Sequence, residues 1–437
     1  MKRRFIFTIL SIALSCIPFF MQSTRNNDVF FILNIIIIII CCIAIFSYTK
    51  IPYSIYKIVH IFILFFFSIA PVVQYKSEVR FMGTLFSDKD YIMTSLFVLG
   101  VLFVFDLVYY FSFSIDSQKI PRERFFYGGY NVGRIKKIVL LMLSFLILAF
   151  FLYENNFDYL NLIYRNTEDD IEPTSQILGL VSNTFFRGIL LSICAASLSI
   201  KGFTRSERII FLSLFILTNF PTGLARLTVA ALYIPVALYC FSVLRHQNIF
   251  SIVIVISLLV VFPFLNSFRY MGQEISFEFN FDQFKELHFD AFSMFMRVLS
   301  NDIVTYGRQL LGVFLFWIPR ALWPSKPIGS GAYIARLTGE RFTNVSMPFF
   351  AEGYINGGLV GVILFTVVLG YFVARIDAKH WKYNVLGYDS FLYFLCIGLT
   401  MFIMRGDLLS SFAYSCGFIA GYYFVKYLLT FSFFKHY

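Results

Sequence analysis

Apolar residues in this chain run in unbroken stretches instead of alternating with polar ones. Twelve such stretches, each bounded by charge or turn signals, fall at about 5–22, 29–48, 58–75, 91–113, 138–153, 176–200, 209–219, 228–244, 249–265, 353–374, 388–404 and 409–428. A helix needs roughly 20 apolar residues to cross a hydrocarbon core about 30 Å thick. Only helices and closed barrels satisfy every backbone polar group there. Barrel strands alternate polar and apolar residues, whereas this chain carries runs such as Ile35 to Ile40. The pattern predicts an all-α polytopic integral membrane protein with about 12 transmembrane helices, folded as a single membrane domain over 1–437. The seventh stretch is short, and 306–323 reads either as an extra span or as a re-entrant piece.

Composition removes the alternatives. Of 437 residues, 59% are hydrophobic and 14% charged, against about a quarter charged in soluble domains. The net charge of +11 would suggest nucleic acid in a soluble protein, but its placement follows the positive-inside rule. With Lys2-Arg3-Arg4 on the cytoplasmic side, more than half of the Lys and Arg collect on that side, both termini are cytoplasmic, and the opposite loop 154–175 is acidic. No nucleic-acid partner is expected. The first apolar run reads as an uncleaved helix, because no small-x-small cleavage site follows it. All seven cysteines lie inside apolar stretches, where a thiol behaves as a small hydrophobe; neither a disulfide nor a metal site is expected.

One stretch interrupts the spans. Between the ninth and tenth, residues 266–352 form a large loop on the face opposite the termini, and loops of that length are usually functional. Phe281, Phe284, His288, Phe292, Phe295 and Leu299 recur at helical spacing, which predicts an amphipathic helix lying on the membrane surface or capping a cavity. The following run, Trp317 to Gly331, is rich in proline and glycine.

No Walker loop, no His-Glu-x-x-His helix and no Cys/His ligand spacing occurs. Asp88-x-Asp90 matches a metal-nucleotide pattern of sugar transferases, a pattern that chance often produces. Arg226 and Arg405 lie at the outer edge of the spans and Arg187 inside the sixth. Ionised groups at membrane depth face a cavity or a partner, and arginine suits bidentate phosphate binding. The alternatives are snorkelling or an ion pair such as Arg405 with Asp407. Glu352 is the preferred candidate general base and His288 the second; His288 would otherwise be a packing residue on its helix face, and Glu352 a carboxylate favoured by a helix start. Glycines 353, 357 and 358 permit close helix contact.

Several motifs taken together resemble the bacterial O-antigen (Wzy-type) oligosaccharide repeat-unit polymerases. They are Phe220-Pro-Thr-Gly-x-x-Arg226, Ile318-Pro-Arg320, Trp323-Pro-x-Lys326-Pro-Ile-Gly-Ser-Gly331, Asn344-Val-Ser-Met-Pro348, Glu352-Gly-Tyr-Ile-Asn356-Gly-Gly and Arg405-Gly-Asp407. The resemblance implies a polytopic glycosyltransferase of the bacterial inner membrane with its site open to the periplasm. Its substrates would be undecaprenyl-diphosphate-linked oligosaccharide repeat units, polymerised into O-antigen or a related surface polysaccharide without a cofactor. It would work among membrane lipid, with a chain-length regulator as partner. Arg226, Arg405 and Arg320 are then expected at the diphosphate, Lys326, Arg336, Tyr354 and Asn356 at the substrate, and Glu352 or His288 as base.

Two rival functions share parts of this pattern. An O-antigen ligase, moving finished polymer to the lipid A core, has a similar span count and one long periplasmic loop; the 318–358 block favours the polymerase. A lipid-linked oligosaccharide flippase would distribute charge through its spans and lack a dominant outer loop.

Overall fold

The computed structural model describes residues 2–48, 51–113, 123–125, 130, 132–164, 176–261, 281–340 and 342–431. Apart from a two-residue parallel pairing of Arg124–Phe125 with Val385–Leu386, the described regular structure is helical. In chain order the helices are α1 (Lys2–Ser15), α2 (Asp28–Ser47), α3 (Ile55–Lys76), α4 (Asp88–Ser112), α5 (Arg134–Glu154), α6 (Leu178–Ser199), α7 (Arg205–Thr218), α8 (Arg226–Cys240) and α9 (Ile249–Ile256). The segment after the ninth span adds α10 (Ala291–Ser300), α11 (Arg308–Phe314) and α12 (Ser330–Leu337). The chain closes with Phe349–Tyr383, which divides into α13 (349–356) and α14 (359–383), then α15 (Phe391–Arg405) and α16 (Leu408–Thr430).

Each of the twelve apolar stretches is helical over most of its described residues, and among the described residues eight helices are long and apolar enough to cross a membrane. They are α2 to α6, Phe349–Tyr383, Tyr388–Arg405 and Leu408–Thr430. The shorter ones include α7, whose 14 residues reach only about 21 Å. The protein is therefore an all-α membrane protein.

The core has two clusters. One gathers α2, α3, α4, α10, α13 and α14; the other gathers α5, α6, α7 and α16. Helices α8 and α15 belong to both: Leu238 and Phe394 face the first, Leu232 and Leu395 the second. Helix α3 is enclosed on every side, so its polar side chains must find internal partners. Lys57 Nζ donates to Asn248 Oδ1 (2.8 Å), and Gln74 Nε2 donates to the carbonyls of Phe284 (2.8 Å) and Phe289 (2.9 Å). Tight contacts between small residues bring helices together, as expected where lipid supplies no hydrophobic drive. A Cβ on Gly398 of α15, for instance, would stand 2.8 Å from the Ala231 carbonyl oxygen of α8.

The single amphipathic helix expected from 281 to 299 does not form. The chain makes two 3-10 turns, Phe281–Lys285 and Leu287–Phe289, before α10 begins. Gln74 is the physical reason: it draws the Phe284 and Phe289 carbonyls outward, away from a continuous helical ladder. Helix α10 does not lie on a surface either. It is buried along most of its length and packs on α4 and Phe349–Tyr383. The candidate span 306–323 contains only α11, seven residues that lean on α16 through Phe314 and Phe412.

The Phe349–Tyr383 segment folds sharply at Gly357 and Gly358, where Gly358 takes φ +59° and ψ −146°. In a straight helix, residues eight apart are separated by about 12 Å. Here a Cβ on Gly361 would meet the Gly353 carbonyl oxygen at 2.0 Å, so α13 turns back onto the start of α14. The bend frees the Ile355 carbonyl, which accepts from Thr305 N–H (2.6 Å) and Thr305 Oγ1 (2.9 Å). Asn356 Oδ1 accepts from Leu310 N–H at 2.8 Å, in the first turn of α11.

Candidate functional site

The bend presents Glu352, on α13, to two other segments. Its side chain is 0% exposed. Oε2 accepts from Ser330 Oγ at the start of α12 (2.8 Å), and Oε1 accepts from Leu408 N–H at the start of α16 (2.8 Å). Asp407 caps α16 by accepting from Ser410 N–H (3.0 Å), and its carboxylate closes on Gly329, where a Cβ would stand 2.9 Å from Oδ1. Glycine is needed there for that approach, so the loop from 318 to 331 is clamped against the 405–408 connection.

Arg405 does not pair with Asp407. Its Nη2 donates to Asp290 Oδ1 (3.0 Å) and to the Leu287 carbonyl (3.1 Å), while its Nε has no hydrogen-bond partner among the described residues. Asp290 is 3% exposed and also accepts from Ser346 N–H at 3.1 Å, so one carboxylate joins 290, 346 and 405. One turn earlier, His288 Nε2 stands 3.7 Å from Glu286 Oε2. Partial burial raises the Glu286 carboxyl, whose side chain is 43% exposed, above its ordinary value, against the opposing pull of the Arg226 guanidinium. Glu286, His288, Asp290 and Arg405 therefore gather at this turn, and the 405–408 connection carries Arg405 on to Asp407 and to the Leu408 N–H that Glu352 accepts from.

The remaining candidates are not gathered there. Arg320 donates to the carbonyls of Lys326 (2.7 Å) and Pro327 (3.1 Å), and Lys326 Nζ donates to those of Phe316 and Ile318; both cations serve their own loop. Burial and the nearby Arg320 lower the Lys326 pKa. Arg336 stands on the exposed face of α12. Tyr354 donates to Asp302 Oδ1 (2.7 Å), and Asn356 binds the first turn of α11 as described. Arg187 is buried in α6, donating to Asn183, the Thr218 carbonyl and Asn219 Oδ1, and it stacks over Phe151; this is a packing role. Asp88 pairs with Arg25, and Asp90 forms the capping box of α4 with Ser87. No group of three or more His, Cys, Asp or Glu able to hold a metal occurs among the described residues.

Asp290, Glu286, Ser330 and Ser346 escaped the sequence reading. Asp290 stands immediately before the apolar run of α10, a position that suggests only a helix start; nothing along the chain signals its partner 115 positions away. No protein-family model matches this chain, and neither a curated protein nor a solved structure matches it.

Proposed function

We propose that this protein is a membrane glycosyltransferase that polymerises undecaprenyl-diphosphate-linked oligosaccharide repeat units at the periplasmic face of a bacterial inner membrane. One observation carries the reading. Ser346 and Arg405, from two motif segments far apart in sequence, both bind the Asp290 carboxylate, on a turn that also carries His288 and Glu286.

In the proposed reaction an acceptor hydroxyl oxygen attacks the anomeric carbon of the growing chain. The bond from that carbon to the lipid diphosphate breaks, and the diphosphate leaves with the bonding electron pair. Arg405, with its unpartnered Nε, and Arg226 stabilise the charge that develops on the leaving group. His288 takes the hydroxyl proton; it is 37% exposed, with Glu286 Oε2 3.7 Å from its Nε2 to favour the imidazolium that forms. Glu352 is enclosed and doubly hydrogen-bonded, so its part is to hold the 330 and 408 helix starts in register. A donor already activated by diphosphate needs no nucleotide loop.

The test is a deletion strain complemented with the gene. Polysaccharide carrying a single repeat in the deletion, with a full ladder on complementation, is the expected result. Complete polymer left unattached to its core would assign a ligase, and repeat units retained inside would assign a flippase.

A further inference from the structure

The chain from 308 to 327 folds back on itself as a hairpin. Its first arm is α11, carried on by single turns in which Leu315, Phe316 and Ile318 N–H donate to the carbonyls of Leu311, Val313 and Leu315. The tip turns at Pro319, whose carbonyl accepts from Leu322 N–H and Trp323 N–H. The second arm returns to the first, so closely that a Cβ on Gly312 would stand 3.0 Å from Pro327 Cβ. The cations tie the two arms together. Arg320 donates to the Lys326 (2.7 Å) and Pro327 (3.1 Å) carbonyls, and Lys326 Nζ crosses to those of Phe316 and Ile318. Four carbonyls of irregular backbone thus have partners inside the hairpin. On its outside the same hairpin shows Leu311, Phe314, Trp317 and Leu322, the last 80% exposed. Apolar side chains grouped on one surface element mark an interaction site.

The place of the hairpin along α16 says what this patch meets. Just beyond the second arm, Gly329 closes on Asp407, the residue immediately before α16. Phe314 and Phe316 rest on Phe412, with ring centroids 6.2 and 5.9 Å away. Phe412 lies one turn inside α16, a helix long and apolar enough to span. The hairpin therefore runs inward from the membrane boundary, and its outer side continues the lipid-facing surface of α16. Irregular backbone facing lipid is excluded from the hydrocarbon core, which leaves the headgroup level. We propose that 308–327 is a re-entrant hairpin dipping into the leaflet in which α16 begins, with Phe314, Trp317 and Leu322 lodged among lipid at the headgroup–acyl boundary. Tryptophan favours that level, and an apolar face rests there about 5–10 Å deep. Arg320 and Lys326 are the internal donors that let the loop leave water. The clamp at Asp407 then holds the Ser330–Glu352 contact at headgroup height.

The test uses the full chain in nanodiscs of phosphatidylcholine brominated either near the headgroup end or near the methyl end of its acyl chains, with quenching of tryptophan emission read in each. Trp317 is isolated as the difference between wild type and Trp317→Phe. Leu322→Trp, at an exposed position, sets a second reporter on the tip. Both signals are expected to lose most of their intensity to bromine near the headgroups, less to bromine at the chain ends, and none to iodide in the water. Stronger quenching by the chain-end bromines would make the segment a span, and quenching by iodide alone would leave the hairpin in water; either result overturns the proposal. The nanodisc holds this chain and lipid, so a patch reserved for a partner protein would be open to iodide and would overturn it too. If Trp317→Phe does not fold, Leu322→Trp decides against wild type by the same outcomes.

Discussion

The Asp290 carboxylate stands 3.0 Å from the Arg405 guanidinium and joins chain segments 115 positions apart. Arg405→Ala would leave Asp290 buried with only the Ser346 N–H. Breaking a buried pair from one side costs about 3 kcal/mol when one partner is partly exposed. The expected result is lower thermal stability in detergent and loss of long polymer. Adding Asp290→Asn should recover most of the stability and none of the polymer, which separates the ion pair from diphosphate stabilisation. Long polymer in the double variant would remove Arg405 from the reaction. Arg405→Lys should rescue only partly, for want of the planar fork.

His288 and Glu352 have opposite expected behaviours. Glu352→Gln can still accept from Leu408 N–H, and the Ser330 hydroxyl can rotate to accept from the amide, so polymer length should change little. Glu352→Ala strands that buried N–H and opens a cavity, at a cost of about 2–4 kcal/mol. His288→Ala should slow turnover by about 10²- to 10⁴-fold with normal protein level. A dead Glu352→Gln beside an active His288→Ala would move the base to Glu352.

The fold-back of α13 predicts a contrast between glycines only four positions apart. Gly361→Ala forces a methyl to within 2.0 Å of the Gly353 carbonyl and should abolish accumulation of folded protein, whereas Gly357, with nothing within 4 Å of its Cβ position, should accept alanine. Size-exclusion profiles of the two variants decide; equal behaviour would contradict the bend.

Glu286 predicts a dependence on pH. Its folded pKa lies above the ordinary carboxylate value because of burial, so across that interval the native state binds more protons than the unfolded one. Stability then falls as pH rises from about 4.5 through the folded pKa, and is level above it. Glu286→Gln removes this slope. Melting curves of the two proteins should coincide near pH 4 and separate in favour of the variant as pH rises; a constant difference would refute the assignment.

The orientation is testable at Lys285, whose side chain is about one-third exposed. A cysteine there, in intact cells, should react with a thiol reagent that cannot cross the membrane. Labelling only after lysis would invert the whole topology, the charge bias included.

The helical membrane character was legible in the sequence, as were the places where helices form, and the reason is local. A segment in lipid must satisfy its own backbone and match the bilayer with its own apolar side chains, so runs such as 29–48 declare themselves without reference to their neighbours. The same local rule failed for 281–299, where Gln74 of α3 turns two carbonyls aside, and for α13, whose reversal depends on backbone contact between Gly353 and Gly361. Arg405 alone suggests Asp407 as partner; packing supplies Asp290 instead. Glu352 reads from the sequence as a candidate base or a helix-start carboxylate, and only the meeting of α12, α13 and α16 encloses it fully. Such pairings are decided by which small residues let which helices approach, and that geometry has no period or composition to mark it along the chain.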